Sequence, residues 1–107
     1  MEFPYTSPEA IGELLRLWSD TTLPFQRWRH TEHLVVALWH TLRYPAPEAL
    51  DRVRAGIQRY NLAHGVVQTP ERGYHETLTR YWMHRVGRFA ETHPGLSEPE
   101  LAERLCR

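Results

Sequence analysis

Pro47-Glu48-Ala49-Leu50-Asp51-Arg52-Val53-Arg54-Ala55-Gly56-Ile57-Gln58-Arg59-Tyr60-Asn61-Leu62-Ala63-His64-Gly65 decides how the chain folds. Leu50, Val53, Ile57 and Tyr60 recur every three or four residues, the spacing of one face of an α-helix. Proline suits a first helical position, and Glu48 with Arg52 forms an i,i+4 pair in the favoured orientation. Gly65 reads as a left-handed cap just beyond the last turn. Such a helix, of about 17 residues, is about 26 Å long.

The same punctuation recurs on either side of this helix. Upstream, Leu34, Val35, Leu38 and Leu42 predict a helix from about Arg27 or Thr31 to Arg43, which Tyr44-Pro45-Ala46-Pro47 breaks because a residue before proline avoids the helical region. Before that, Ser7-Pro8-Glu9 offers an N-cap, a first-turn proline and an acid at the positive helix end. Ile11, Leu14, Leu15 and Trp18 complete that helix, and Thr21-Thr22-Leu23-Pro24 ends it. Downstream, Val66 to Gly73 reads as a loop, with Thr69-Pro70 and Gly73 as its turn residues. A fourth helix is expected from about Tyr74 to Thr92, with Leu78, Trp82, Val86 and Phe89 on one face and Glu76 paired with Arg80 outside. Ser97 and Glu100 spell a capping box, with Leu96 and Leu101 placed as a staple, and open a short fifth helix. No segment alternates apolar and polar residues as a strand does. The expectation is an all-α fold: one compact domain, 1–107, of about five helices in an antiparallel bundle or an orthogonal array.

Composition narrows the function classes. The 107 residues hold thirteen acidic and thirteen basic side chains, every basic one an Arg spread along the chain. A neutral chain without a basic patch argues against nucleic acid as a partner. The longest apolar run, Leu34 to Trp39, falls far short of the roughly 20 residues of a membrane span. The segment Met1-Glu2-Phe3-Pro4-Tyr5 lacks a basic region followed by an apolar stretch, so a cytoplasmic location is expected. One cysteine, Cys106, cannot form an internal disulfide.

Seven histidines and four tryptophans are the two enrichments. At about 100° per residue, His30, His33 and His40 share one stripe of the second helix. His64 continues the apolar face of the third helix, and His75 falls in register with Leu78, Trp82 and Val86. Both are therefore expected to point inward. With the second helix antiparallel to the third, His30, His33, His64 and His75 meet at one end of the domain, with Glu32, Glu76 and Asn61 as possible neighbours. His84, His93 and His40 fall elsewhere. The motif with Glu between two His at i,i+4 and the Glu-x-x-His pairs of di-iron bundles are both absent.

Three segments carry a resemblance: Trp28-Arg29-His30-Thr31-Glu32-His33-Leu34, Tyr60-Asn61-Leu62-Ala63-His64-Gly65 and Gly73-Tyr74-His75-Glu76-Thr77-Leu78-Thr79. They resemble the shared segments of a group of small bacterial all-helical proteins, over roughly residues 24 to 92. The resemblance implies that His30, His33, His64, His75, Glu76 and Thr79 matter together, and it implies no reaction. The His-x-x-His element also faintly resembles the opening of HD-type metal phosphohydrolases, but the His-Asp doublet that names them is missing.

Three functions fit these residues. The first is a centre for a divalent metal, Zn²⁺ foremost, with His30, His33 and His75 as ligands, His64 as fourth ligand or neighbour, and Glu76 as the base that activates a bound water for hydrolysis. The second is a metal-free pocket for a small molecule, lined by Trp28, Asn61, Tyr74, Thr79, Trp82 and the same histidines. The third is a homodimer or other interaction module, in which some of Trp18, Trp28, Trp39 and Trp82 face a partner.

Overall fold

The computed structural model describes residues 2–107, so of the expected 1–107 domain only residue 1 lies outside it. Among the described residues five α-helices follow one another: α1 (Pro8–Ser19), α2 (His30–Arg43), α3 (Ala46–Ala63), α4 (Glu76–Glu91) and α5 (Glu98–Leu105), with a 3₁₀ turn, Phe25–Arg27, ahead of α2. No strand occurs among the described residues; the nearest thing to one is an isolated bridge between Thr69 and Arg72. The domain measures 40 × 28 × 22 Å. No helix among the described residues is long and apolar enough to cross a membrane.

The helix ends follow the local chemistry of their residues. Ser7 Oγ accepts from the Ala10 N–H at 3.1 Å and starts α1. Ser97 and Glu100 form the reciprocal capping box that starts α5. Gly65 adopts φ 70°, and beyond α3 the Val66 N–H donates to Asn61 O while the Gly65 N–H donates to Leu62 O. This is the paired termination that a left-handed glycine permits.

Helix α2 is the hub and packs against the other four. The sequence suggests an amphipathic helix with a stripe at Leu34, Val35, Leu38 and Leu42; instead Leu34 to Leu38 are buried without a break and Leu42 is exposed. A helix covered on most sides needs no polar face there. Around it close Ile11, Leu14, Leu15 and Trp18 of α1, Val53, Ile57 and Tyr60 of α3, Val86 of α4, and Leu101 and Ala102 of α5. Each fully buried large apolar side chain contributes roughly 1.5–3 kcal/mol. Gly56 lets α3 approach α1: a Cβ there would stand 2.1 Å from the Trp18 ring.

Buried polar ties fix the hub. The Tyr5 hydroxyl donates to Glu32 Oε2 at 2.5 Å, while the Arg29 N–H donates to the other Glu32 oxygen. Burial, and then the Glu32 carboxylate, push the Tyr5 phenol well above its ordinary range and keep it protonated. Tyr60, wholly buried, donates to Leu23 O at 2.7 Å. Cys106 packs partly buried against the core, and burial pushes its thiol up to about 11, so it is an inert group.

Candidate functional site

A cleft of about 380 Å³ opens between α2, α3 and α4. Helix α2 contributes His30, His33, Leu34 and Ala37, α3 contributes Val53, Ile57 and Asn61, and α4 contributes Leu78, Thr79, Trp82 and Met83. Phe25 and Trp28 enter from the turn before α2. The loop between α3 and α4 closes the remaining side with Val66, Arg72, Gly73, Tyr74 and His75.

That loop is held in shape. Thr69 and Arg72 exchange backbone hydrogen bonds at 2.9 and 3.2 Å. The Gln68 side chain clamps Tyr74, accepting from its N–H at 2.8 Å and donating to its carbonyl at 3.0 Å. Gly73 sits at φ 99°, and a Cβ there would stand 2.5 Å from Gln68 Oε1, so no other residue fits beside the clamp.

The aromatic walls are ordered stacks. His33 lies on Trp28 with ring centroids 3.9 Å apart, and Trp28 in turn meets Tyr60 at 5.3 Å and Trp18 at 5.7 Å. His30 stands edge-on to Trp82 at 4.9 Å. His33 is exposed to the cleft on one side, yet many protein atoms crowd the other. That burial, and secondarily the nearby His30, lower its pKa from 6.5 to about 4. His33 is therefore neutral at physiological pH.

The seven histidines divide by what their rings bond to. His40 Nδ1 lies 2.8 Å from Val36 O, His64 Nε2 lies 2.9 Å from Thr21 O, and His93 Nδ1 lies 2.8 Å from Phe89 O. These are structural imidazoles with carbonyl partners. His30, His33 and His75 line the cleft and have no such bond among the described residues; Asn61 shares this free state. His84 lies apart, lining a second, more voluminous groove of about 830 Å³ between the end of α2, the start of α3 and α4.

The structure thus brings His30, His33 and His75 to one cleft, together with Trp28, Asn61, Tyr74, Thr79 and Trp82. It separates His64, which caps α3, stacks on Tyr60 at 4.2 Å and ties α3 to the loop after α1. His75 is not a helical residue in register with Leu78. It is the exposed N-cap of α4, which begins at Glu76, two residues after the expected start at Tyr74, because Tyr74 is held by Gln68 outside the helix. The three cleft histidines do not converge on one point. Among the described residues no three His, Cys, Asp or Glu side chains are placed to hold a metal ion, as a tetrahedral site with ligand nitrogens near 2.1 Å requires.

Glu76 is placed to do something other than accept a proton. Its Oε1 accepts from Arg54 Nε at 2.8 Å and from the Tyr74 hydroxyl at 2.6 Å, and its Oε2 accepts from Arg54 Nη2 at 2.6 Å and Arg80 Nε at 2.5 Å. Arg54 first, and then Tyr74, hold its carboxyl far below the usual range. A carboxylate so stabilised is a weak base, and it does not line the cleft. It pins α4 and Tyr74 to α3 instead.

Several lining residues are not singled out by the sequence. Leu34, Val53 and Ile57 read there as ordinary core positions, which is half true, since each is buried and also forms the floor of the cleft. Leu78 reads as core and is 54% exposed at the mouth. Arg72 carries no sequence signal. Comparison with protein-family models, with curated proteins and with solved structures gives no match to this chain.

Proposed function

We propose that this protein binds a small, largely aromatic molecule in the cleft between α2, α3 and α4. One observation carries the reading: apolar and aromatic walls around about 380 Å³ meet three imidazoles and one amide that make no hydrogen bond to the described residues. Binding sites of this size are built from apolar walls with a few convergent polar groups. Trp82, and Trp28 held in its stacks with His33 and Trp18, give the cleft aromatic walls against which a flat ligand body packs. Asn61, His30, His33 and His75 offer donors and acceptors that fix its orientation.

The lining favours binding over bond making. It holds no Ser, Cys, Lys, Asp or Glu. The Thr79 hydroxyl is engaged by the His75 carbonyl at 2.9 Å, and an imidazole with pKa about 4 is a poor base at neutral pH. The three segments that carry the resemblance to small bacterial helical proteins all reach this cleft, which supports reading them as one site.

The test is a ligand-observed NMR screen of flat aromatic compounds, followed by calorimetry of the hits on the parent protein and on Trp82→Ala. We expect micromolar to millimolar hits whose affinity falls about tenfold or more in the variant, the scale of losing one aromatic contact. A screen without hits sinks the proposal. So does a 1:1 rise in thermal midpoint with Zn²⁺ that vanishes in both His33→Ala and His75→Ala, because that result would make the cleft a metal centre.

A further inference from the structure

The charges around the cleft say more about its occupant than the aromatic walls do. The chain has thirteen acidic side chains, and none of them lines the cleft. The nearest on the adjoining helix, Glu76, is matched by the guanidinium groups of both Arg54 and Arg80. Glu71 neighbours Arg72 in the chain but is exposed and outside the lining. The cleft therefore presents no unopposed negative charge. It does contain one full positive charge, Arg72, whose guanidinium makes no ion pair among the described residues.

The backbone of Arg72 is fixed at the rim of the cleft, while its side chain is exposed and carries no hydrogen bond of its own among the described residues. Its backbone exchanges hydrogen bonds with Thr69, and the Gln68 clamp on Tyr74 fixes the chain two residues on. A guanidinium fork anchored on an ordered loop recognises a carboxylate through two parallel hydrogen bonds, which a neutral group of the same shape cannot reproduce. The histidines nearby add N–H donors and no competing negative charge.

We infer that the ligand of this cleft is a small flat aromatic molecule bearing one anionic group, and that Arg72 selects it by its charge. This rests on the cleft being a binding site, and the experiment separates the two ideas.

The probes are 1-naphthoate and its neutral counterpart 1-naphthamide, which share a ring system and differ in charge. Binding of each is measured by calorimetry to the parent protein, to Arg72→Gln, to Arg72→Lys and to Arg104→Gln, a control on α5 remote from the cleft. The expected result is naphthoate binding about tenfold or more tighter than the amide in the parent, with the preference shrinking as salt is raised. Arg72→Gln brings the two probes to within about twofold of each other by weakening naphthoate alone, Arg72→Lys falls between, and Arg104→Gln behaves as the parent. Equal binding of both probes by the parent overturns the inference and leaves the cleft a binding site. A preference for naphthoate that survives Arg72→Gln in a folded protein overturns the role of Arg72. Binding of neither probe removes the inference together with the reading it rests on.

Discussion

Gly56 is where one atom matters most to the fold. The Trp18 ring occupies the space its Cβ would need, so Gly56→Ala forces either the ring or helix α3 to move. Overpacking of that kind costs about 1–3 kcal/mol, and chemical denaturation should find Gly56→Ala less stable than the parent by that amount. An unchanged midpoint would mean that Trp18 can swing aside. His33 gives the second prediction at this scale. Its folded pKa of about 4 lies below the unfolded value of 6.5, so between those values the unfolded chain takes up a proton that the folded one refuses. Stability therefore falls as pH drops from about 6.5 to about 4 and is insensitive to His33 below that. His40, lowered chiefly by its burial, acts in the same direction. Thermal midpoints between pH 7.5 and 4.5 should fall less in His33→Gln than in the parent, and parallel curves would contradict the assignment. Glu76 does not confuse this window: its carboxyl is lowered, so its contribution is lost only as pH falls below the ordinary carboxylate value.

At the scale of helices, α4 starts differently from α1 and α5. Ser7 and Ser97 cap their helices, whereas His75 occupies the N-cap of α4 without any side-chain cap bond. A serine at position 75 should cap the helix, and His75→Ser is expected to raise stability by about 1 kcal/mol in denaturant titrations while weakening any ligand of the cleft. A variant that is less stable than the parent would mean that the imidazole supports α4 by some contact other than a cap. The same element marks where sequence reasoning reached its limit. Apolar periodicity located α4 and its inner residue Val86, because that signal is spread over sixteen residues. It placed the start two residues early, because Tyr74 is withheld from the helix by a side chain six positions upstream, which no local pattern reveals. The misjudged face of α2 has a different cause. Its buried run from Leu34 to Leu38 looks amphipathic only when the helix is taken alone, and its place at the centre depends on the four neighbours.

For the molecule as a whole, the all-α architecture was legible, since it follows from the periodicity and punctuation of five segments, whereas of the expected histidine cluster His30, His33 and His75 line one cleft without converging on a point. His64 was misplaced because its partner, Thr21 O, belongs to a loop in which Thr21 adopts φ 66°, a backbone choice that its residue type does not announce. Of the four tryptophans only Trp18 is core; Trp28 and Trp82, half-buried, wall the cleft, and Trp39, half-buried too, lies under the Arg43 guanidinium at 4.3 Å. This distribution also supplies a direct assay. Four indole N–H groups give four resolvable signals in a ¹H–¹⁵N spectrum, two from tryptophans that line the cleft and two, Trp18 in the core and Trp39, from outside it. The measurement to make is a titration of ¹⁵N-labelled protein with an aromatic hit from the screen, followed through those four signals. The account predicts saturable shifts of the Trp28 and Trp82 indoles with Trp39 unmoved. Shifts confined to Trp39, or equal small drifts of all the exposed signals without saturation, would contradict it.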